Sequence, residues 1–109
     1  MKRPADQFWN EPVPAQLVQV LAGIDDAPTM RKFLRDVLTE KEIIEISARL
    51  EAARLLRAGV TYTEIVERTR LSSRTVARIS SWLRSGNNGY AAALKQIDAH
   101  QDHTPPARA

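Results

Sequence analysis

The sequence contains no cysteine, which removes disulfides, thiolate metal sites and a cysteine nucleophile together and fits a reducing compartment. No apolar run approaches the roughly 18–20 residues of a membrane span. The opening stretch, MKRPADQFWNEP, lacks the apolar segment of a secretory signal. A cytoplasmic protein with no membrane partner is expected. Only four glycines are present, and none forms a phosphate-cradling loop; Gly86 and Gly89 read as helix punctuation. No serine has a nearby histidine. His100 and His103 flank Asp102 at metal-ligand spacing, but they fall in a proline-bearing tail with no further partner. No metal, cofactor or enzymatic activity is therefore expected. Acidic residues are missing from one long stretch: after Glu67 none occurs until Asp98, and the gap holds Arg68, Arg70, Arg74, Arg78, Arg84 and Lys95. One acid-free basic stretch in an otherwise interleaved chain fits a polyanion-binding face, and it also fits a solvated arginine-bearing surface.

What is present is an ordinary globular composition. Of 109 residues, 43% are hydrophobic and 27% charged, with a formal net charge of +3. That length suits one domain with short tails, and a core this small is naturally completed by dimerisation. Residues 1–13 read as a loose arm, because Pro4, Pro12 and Pro14 discourage regular structure, with Phe8 and Trp9 available to pack it down. A helical domain is expected over 14–98 and a disordered tail over 99–109.

Within that domain the apolar spacing is helical throughout. Leu17, Val18, Val20, Leu21 and Ile24 mark a first helix from Pro14. Asp25-Asp26-Ala27-Pro28 breaks it and starts a second, carrying Met30, Phe33, Leu34, Val37 and Leu38, so that the two suggest a helical hairpin. Thr39-Glu40-Lys41-Glu42 is a capping box opening the longest helix, about 40–58, with Ile43, Ile46, Leu50 and Ala53 on one stripe. Ile44, Leu55 and Leu56 widen its apolar surface beyond what one neighbour covers, which favours a second subunit. Ala58-Gly59 ends it. Thr61-Tyr62-Thr63-Glu64 is a second capping box and starts a short helix. Arg70-Leu71-Ser72 makes a tight turn, with Ser72 as N-cap of a helix over about 73–84. Gly86-Asn87-Asn88-Gly89 stops that helix, and Asn88 can cap a last one bearing Tyr90, Leu94 and Ile97. The fold class is all-α.

Residues 61–84 thus form two short helices and a turn of about three residues, the outline of a helix-turn-helix. In such a motif the second helix enters the major groove by its amino end. Ser72, Ser73, Arg74 and Thr75 occupy that end, and Arg78 follows Arg74 on the same face. Arginine binds guanine O6 and N7 in a bidentate way, which makes Arg74 and Arg78 the candidate base readers. Thr75 suits a thymine methyl or a phosphate. Tyr62 and Thr63 stand where a helix amino end favours an anion, and Arg84 is a candidate phosphate contact. The turn frequently has glycine in a left-handed position; here Arg70 stands near it. Double-stranded DNA is the expected partner. The alternative is a helical dimeric module that binds RNA or an acidic protein through its basic face.

The segment from Met30 to Ile97 resembles the Trp repressor superfamily, nearer to the YerC/YecD branch of Trp-repressor-related proteins than to the repressor itself. The residues that carry the likeness are FLRDVLTEKEIIEISARLEAARLLRAGVTYTEIVERT (Phe33 to Thr69), SRTVARISSWL (Ser73 to Leu83) and the terminator SGNNGY (Ser85 to Tyr90). The resemblance implies a six-helix subunit in an intertwined homodimer. Its fourth and fifth helices would form the DNA-binding hairpin, and its function would be transcriptional regulation, of repressor type. In the tryptophan-responsive repressor the corepressor lies between the third helix and the reading helix, held by an arginine on each and flanked by small residues. Arg78 falls where one of those arginines would be, and Arg49 lies near the other. Ile79 and Trp82 stand where small residues belong and are expected to fill the indole slot. Tryptophan is therefore not the expected effector, while another small-molecule effector stays open.

Overall fold

The structure, a computed structural model, describes residues 7–103. These residues form a 3-10 turn (Gln7–Asn10) and six α-helices: α1 (Pro12–Gly23), α2 (Ala27–Val37), α3 (Glu40–Arg57), α4 (Tyr62–Thr69), α5 (Ser73–Ser85) and α6 (Gly89–His103). No strand occurs among the described residues. No helix among them is long and apolar enough to cross a membrane. They divide into two compact units at Glu40 and Lys41.

In the first unit, regular structure begins earlier than the prolines suggest. Residues 7–10 form a turn whose Phe8 and Trp9 rings lie 4.2 Å apart, and α1 opens at Pro12, so the expected loose arm ends sooner than residue 13. The reason is positional: Pro12 and Pro14 both fall in the first turn of α1. There a fixed φ is preorganised for the helix and a missing N–H leaves no hydrogen bond unmade. Asp26 caps α2 as its sequence suggests, its Oδ2 accepting the Thr29 amide at 2.9 Å. Hydrogen bonds from Thr29 hold that carboxyl below its ordinary range. The expected helical hairpin does not form, because α1 and α2 do not pack along each other and neither holds a buried residue. Apolar side chains spread round α1 instead of forming one seam: Val13, Leu17, Val18 and Val20 are exposed.

The second unit contains the core. Ala52, Ala53 and Leu55 of α3, Ile65 of α4, Val76 and Ile79 of α5, and Leu94 of α6 are buried together. Two adjacent alanines on α3 let neighbouring backbones come close, and the larger side chains of α4, α5 and α6 fill the space. The carboxyl end of α3 is fixed by Gly59, at φ 86°, with its amide donating to Leu56 O at 3.0 Å and the Val60 amide donating to Leu55 O at 3.0 Å. This Schellman closure needs a left-handed residue, for which glycine carries no Cβ penalty. It also folds Val60 back onto the core. Gly86 has a different reason: a Cβ there would stand 2.6 Å from the Trp82 carbonyl oxygen, so a side chain would force the end of α5 to shift. Asn88 precedes α6 with φ 69°, a conformation asparagine tolerates, and its carbonyl accepts the Ala92 amide at 3.0 Å. The helix then runs on to His103, so residues 99–103 of the expected tail are helical; 104–109 lie outside the described residues.

Candidate nucleic-acid interface

Helices α4 and α5 are joined by Arg70, Leu71 and Ser72 and pack through Ile65, Val76 and Ile79. Both amino ends are capped as the sequence suggests. The Thr61 hydroxyl accepts the Glu64 amide at 3.3 Å, and the Ser72 hydroxyl accepts the Thr75 amide at 3.1 Å. Each such cap contributes on the order of 1 kcal/mol. Only half of the Thr61–Glu64 capping box is realised, because the Glu64 carboxylate turns forward to Arg68, at 3.2 Å. The two groups lie four apart on one helix, the ordering that favours this pair.

The turn is held by a residue that spacing alone did not mark. Thr69 donates its hydroxyl to Ile65 O at 2.7 Å and accepts the Leu71 amide at 3.3 Å, so one side chain closes α4 and orients the middle residue of the turn. Arg70 adopts φ 63°, ψ 14°, the left-handed region in which glycine is the easy occupant. A non-glycine residue there costs about 1–2 kcal/mol. Arg70→Gly is accordingly expected to raise stability by about 1 kcal/mol, part of the relief being offset by the extra chain entropy of glycine. Thermal unfolding checks this, with a rise of roughly 4–8 °C expected for a domain of this size.

The candidate residues sort into three groups. Ser73, Arg74 and Arg78 are exposed on α5. Arg74 and Arg78 differ by roughly 40° round the helix and so share a stripe, which continues through the exposed Ser81 and Ser85. Ser72 and Thr75 are committed to each other: the Ser72 hydroxyl donates to Thr75 Oγ1 at 3.0 Å, and Thr75 is half-buried. Their first task is to shape the amino end of α5. Tyr62 and Thr63 are exposed at the start of α4.

Arg84 belongs elsewhere. It lies ten residues, about 15 Å, along α5 from Arg74 and roughly 80° round the helix. There it donates to Ser80 Oγ at 2.7 Å and lines, with Tyr62, Arg57, Val60 and Leu83, a cleft of about 570 Å³. The arginines of α5 thus divide between two faces. Arg57, which also pairs with Asp98 at 2.7 Å, is a cleft residue that the linear charge pattern did not select.

The expected indole slot is also arranged differently. Ile79 is wholly buried in the core, and Trp82, 43% exposed, forms one wall of an open groove of about 570 Å³ with Ile46, Arg49, Leu50, Tyr90 and Ala93. Trp82 therefore lines this space without closing it. Arg49 bonds Glu45 at 2.7 Å, and its Nε is buried without a hydrogen-bond partner. Arg78 stands over the Trp82 ring at 6.0 Å. Among the described residues no group of three histidine, cysteine or carboxylate side chains could hold a metal.

Comparison with known proteins gives this geometry relatives. The sequence profile of the family described as Trp repressor protein matches residues 14–98. The uncharacterized protein YerC of Bacillus subtilis is 35% identical over 82 residues, which is 75% of this chain and 79% of that one. The crystal structure of a TrpR-like protein from Eubacterium eligens superposes with a TM-score of 0.78 at 32% identity, covering 84% of this chain and 95% of that one. A Staphylococcus aureus structure also superposes at a TM-score of 0.78, covering 88% and 96% of the two chains. Its identity is 23%, so it speaks for the fold alone.

Proposed function

The chain belongs to the Trp repressor protein family, and from that premise we propose that it is a sequence-specific DNA-binding regulator of transcription, acting as a repressor by occupying its operator. The observation that carries this reading is the amino-terminal half of α5, where Arg74 and Arg78 project from one exposed, acid-free stripe beside two capped helix starts. Bidentate pairing of each guanidinium with guanine O6 and N7 supplies base discrimination. Tyr62, Thr63 and Ser73 supply neutral donors to phosphates next to helix amides that already favour anions. Arg84 adds a backbone contact from the other face of α5.

The working unit in this reading is a homodimer. Ile44 and Ile46 on α3 are 59% and 55% exposed, and α1 carries four further exposed apolar side chains. Apolar surface of this extent is characteristic of an interface. A two-fold pair of α5 helices then meets half-sites about one helical turn, roughly 34 Å, apart.

A salt titration separates this reading from binding to an acidic protein or to RNA. Fluorescence anisotropy with the protein's preferred duplex is expected to give a log–log slope of magnitude about 2, from the Arg84 phosphate contacts of two subunits. Single-stranded RNA of equal length is expected to bind far more weakly. Equal affinity for the RNA, or a duplex interaction insensitive to salt, would contradict the proposal.

A further inference from the structure

Trp82 is the one large aromatic side chain on α5, and it is not part of the core. Val76 and Ile79 are wholly buried and Leu83 packs beside them, so the inward face of the helix is filled without it. Instead, the indole has two partners. The Arg78 guanidinium lies over its ring, 6.0 Å from the centroid. Tyr90 of α6 stacks against it, with centroids 6.4 Å apart and planes inclined by 22°. Arg78 and Trp82 are four residues apart, which places them on adjacent turns of one face.

We propose that Trp82, braced by Tyr90, is a positioning residue that holds the Arg78 guanidinium ready for base recognition. The proposal rests on the reading of α5 as the helix that enters the major groove. Its physical basis is the shape of guanidinium. The flat face of the group is attracted to the negative face of an indole, the strongest of the aromatic platforms for a cation. Its N–H donors point outward in the plane, along the edge. Guanine O6 and N7 are met by that edge. Attraction to the Trp82 face and bidentate pairing with guanine therefore use different parts of one group and can occur together.

The gain is in preorganisation. A free arginine side chain samples many rotamers and must give up that freedom when it docks. A guanidinium held within cation–π range of a ring has given up part of it beforehand, so less of the contact energy is lost on binding. Tyr90 fixes the platform in turn: without a second ring stacked against it, an indole 43% exposed is free to swing with the arginine. Arg74 has no ring beneath it among the described residues. The two candidate base readers thus differ in kind, with Arg78 held and Arg74 free to adapt.

Trp82 acts here at one position of each half-site, and this gives the proposal a readout that a merely structural role would not move. Binding of the full chain is measured across single-base variants of its preferred duplex for the natural protein, Arg78→Ala, Trp82→Leu and Trp82→Phe. Leucine keeps apolar bulk without a π face, and phenylalanine keeps the face. Arg78→Ala identifies the position that Arg78 reads. Trp82→Leu is expected to lower discrimination at that same position by roughly three- to tenfold, with the Arg74 position unchanged, and Trp82→Phe to restore most of it. A second measurement needs no DNA. In a Trp9→Phe background Trp82 is the only tryptophan, and its emission is expected to shift on Arg78→Ala and on Tyr90→Leu. Unchanged preference in a folded Trp82→Leu protein would overturn the proposal, as would a uniform loss at every base. So would an emission spectrum indifferent to Arg78, which also decides the matter if Trp82→Leu fails to fold. A natural protein without any base preference would remove the DNA reading itself, an outcome distinct from all of these.

Discussion

Arg74→Ala is expected to weaken binding to the preferred duplex by roughly 5- to 150-fold per half-site and to erase discrimination at one base pair of each, the range corresponding to about 1–3 kcal/mol for a bidentate arginine–guanine pair. Its place in the fold sets the size of this effect. Arg74 is the second residue of α5, two after the Ser72 cap, so it lies at the end of the helix that penetrates deepest in a helix-turn-helix. It is exposed and has no acidic partner among the described residues, so removing it frees no buried carboxylate there and disturbs no packing. Folding stability should change by no more than a few tenths of a kcal/mol. Arg84→Ala provides the contrast. Arg84 lies on another face, tied to Ser80 at 2.7 Å, and its loss should weaken all sequences alike and reduce the salt slope by about one unit per contact. Competition titrations with single-base variants check both outcomes.

Ile79→Ala is expected to cost 2–5 kcal/mol of stability, by the usual range for emptying a buried aliphatic site. Ile79 has no solvent exposure and sits with Val76, Ile65 and Leu94, one residue from each of the two neighbouring helices and one from its own. Three helices converge there, and none can close the cavity without disturbing another. A domain of this size has roughly 5–15 kcal/mol in total, so the loss is a large part of it. Denaturant unfolding should show a lower midpoint with little change in slope. Trp82→Ala, by comparison, removes a half-exposed ring outside the core and should cost less. The comparison matters for the functional reading because the two residues together were expected to fill one slot. The structure gives them separate tasks: one supports α5 from within, while the other faces a groove and the Arg78 guanidinium.

What was legible in the sequence is what short-range chemistry dictates. Thr61, Ser72 and Asp26 mark helix starts because a hydroxyl or carboxylate reaches an amide three residues on, whatever the rest of the chain does. Gly59 marks an end for an equally local reason, and Arg70 was identifiable as a residue in a glycine position because the turn has only three members. Less legible was anything set by which neighbour a side chain finds. Glu64 could reach back to its own cap or forward to Arg68, and the sequence fits both. Thr69 looks like any polar residue at a helix end until its two hydrogen bonds are seen. Arg84 shares the charge and helix of Arg74, and only the 100° step per residue, compounded over ten residues, turns it toward Tyr62 and the cleft. The apolar pattern of α1 correctly predicts a helix but not its partner, because Val13, Leu17, Val18 and Val20 find no cover within their unit.

The central claim is that α5 reads base sequence in duplex DNA, and selection of bound sequences from a random duplex library by the purified protein tests it most directly. The account predicts enrichment of a two-fold symmetric site whose half-sites each contain guanine and lie about one helical turn, roughly 34 Å, apart. It further predicts that the same selection with Arg74→Ala yields a site degenerate at one of those positions. A library that emerges without enrichment, with binding equal for all duplexes at every salt concentration, would contradict it.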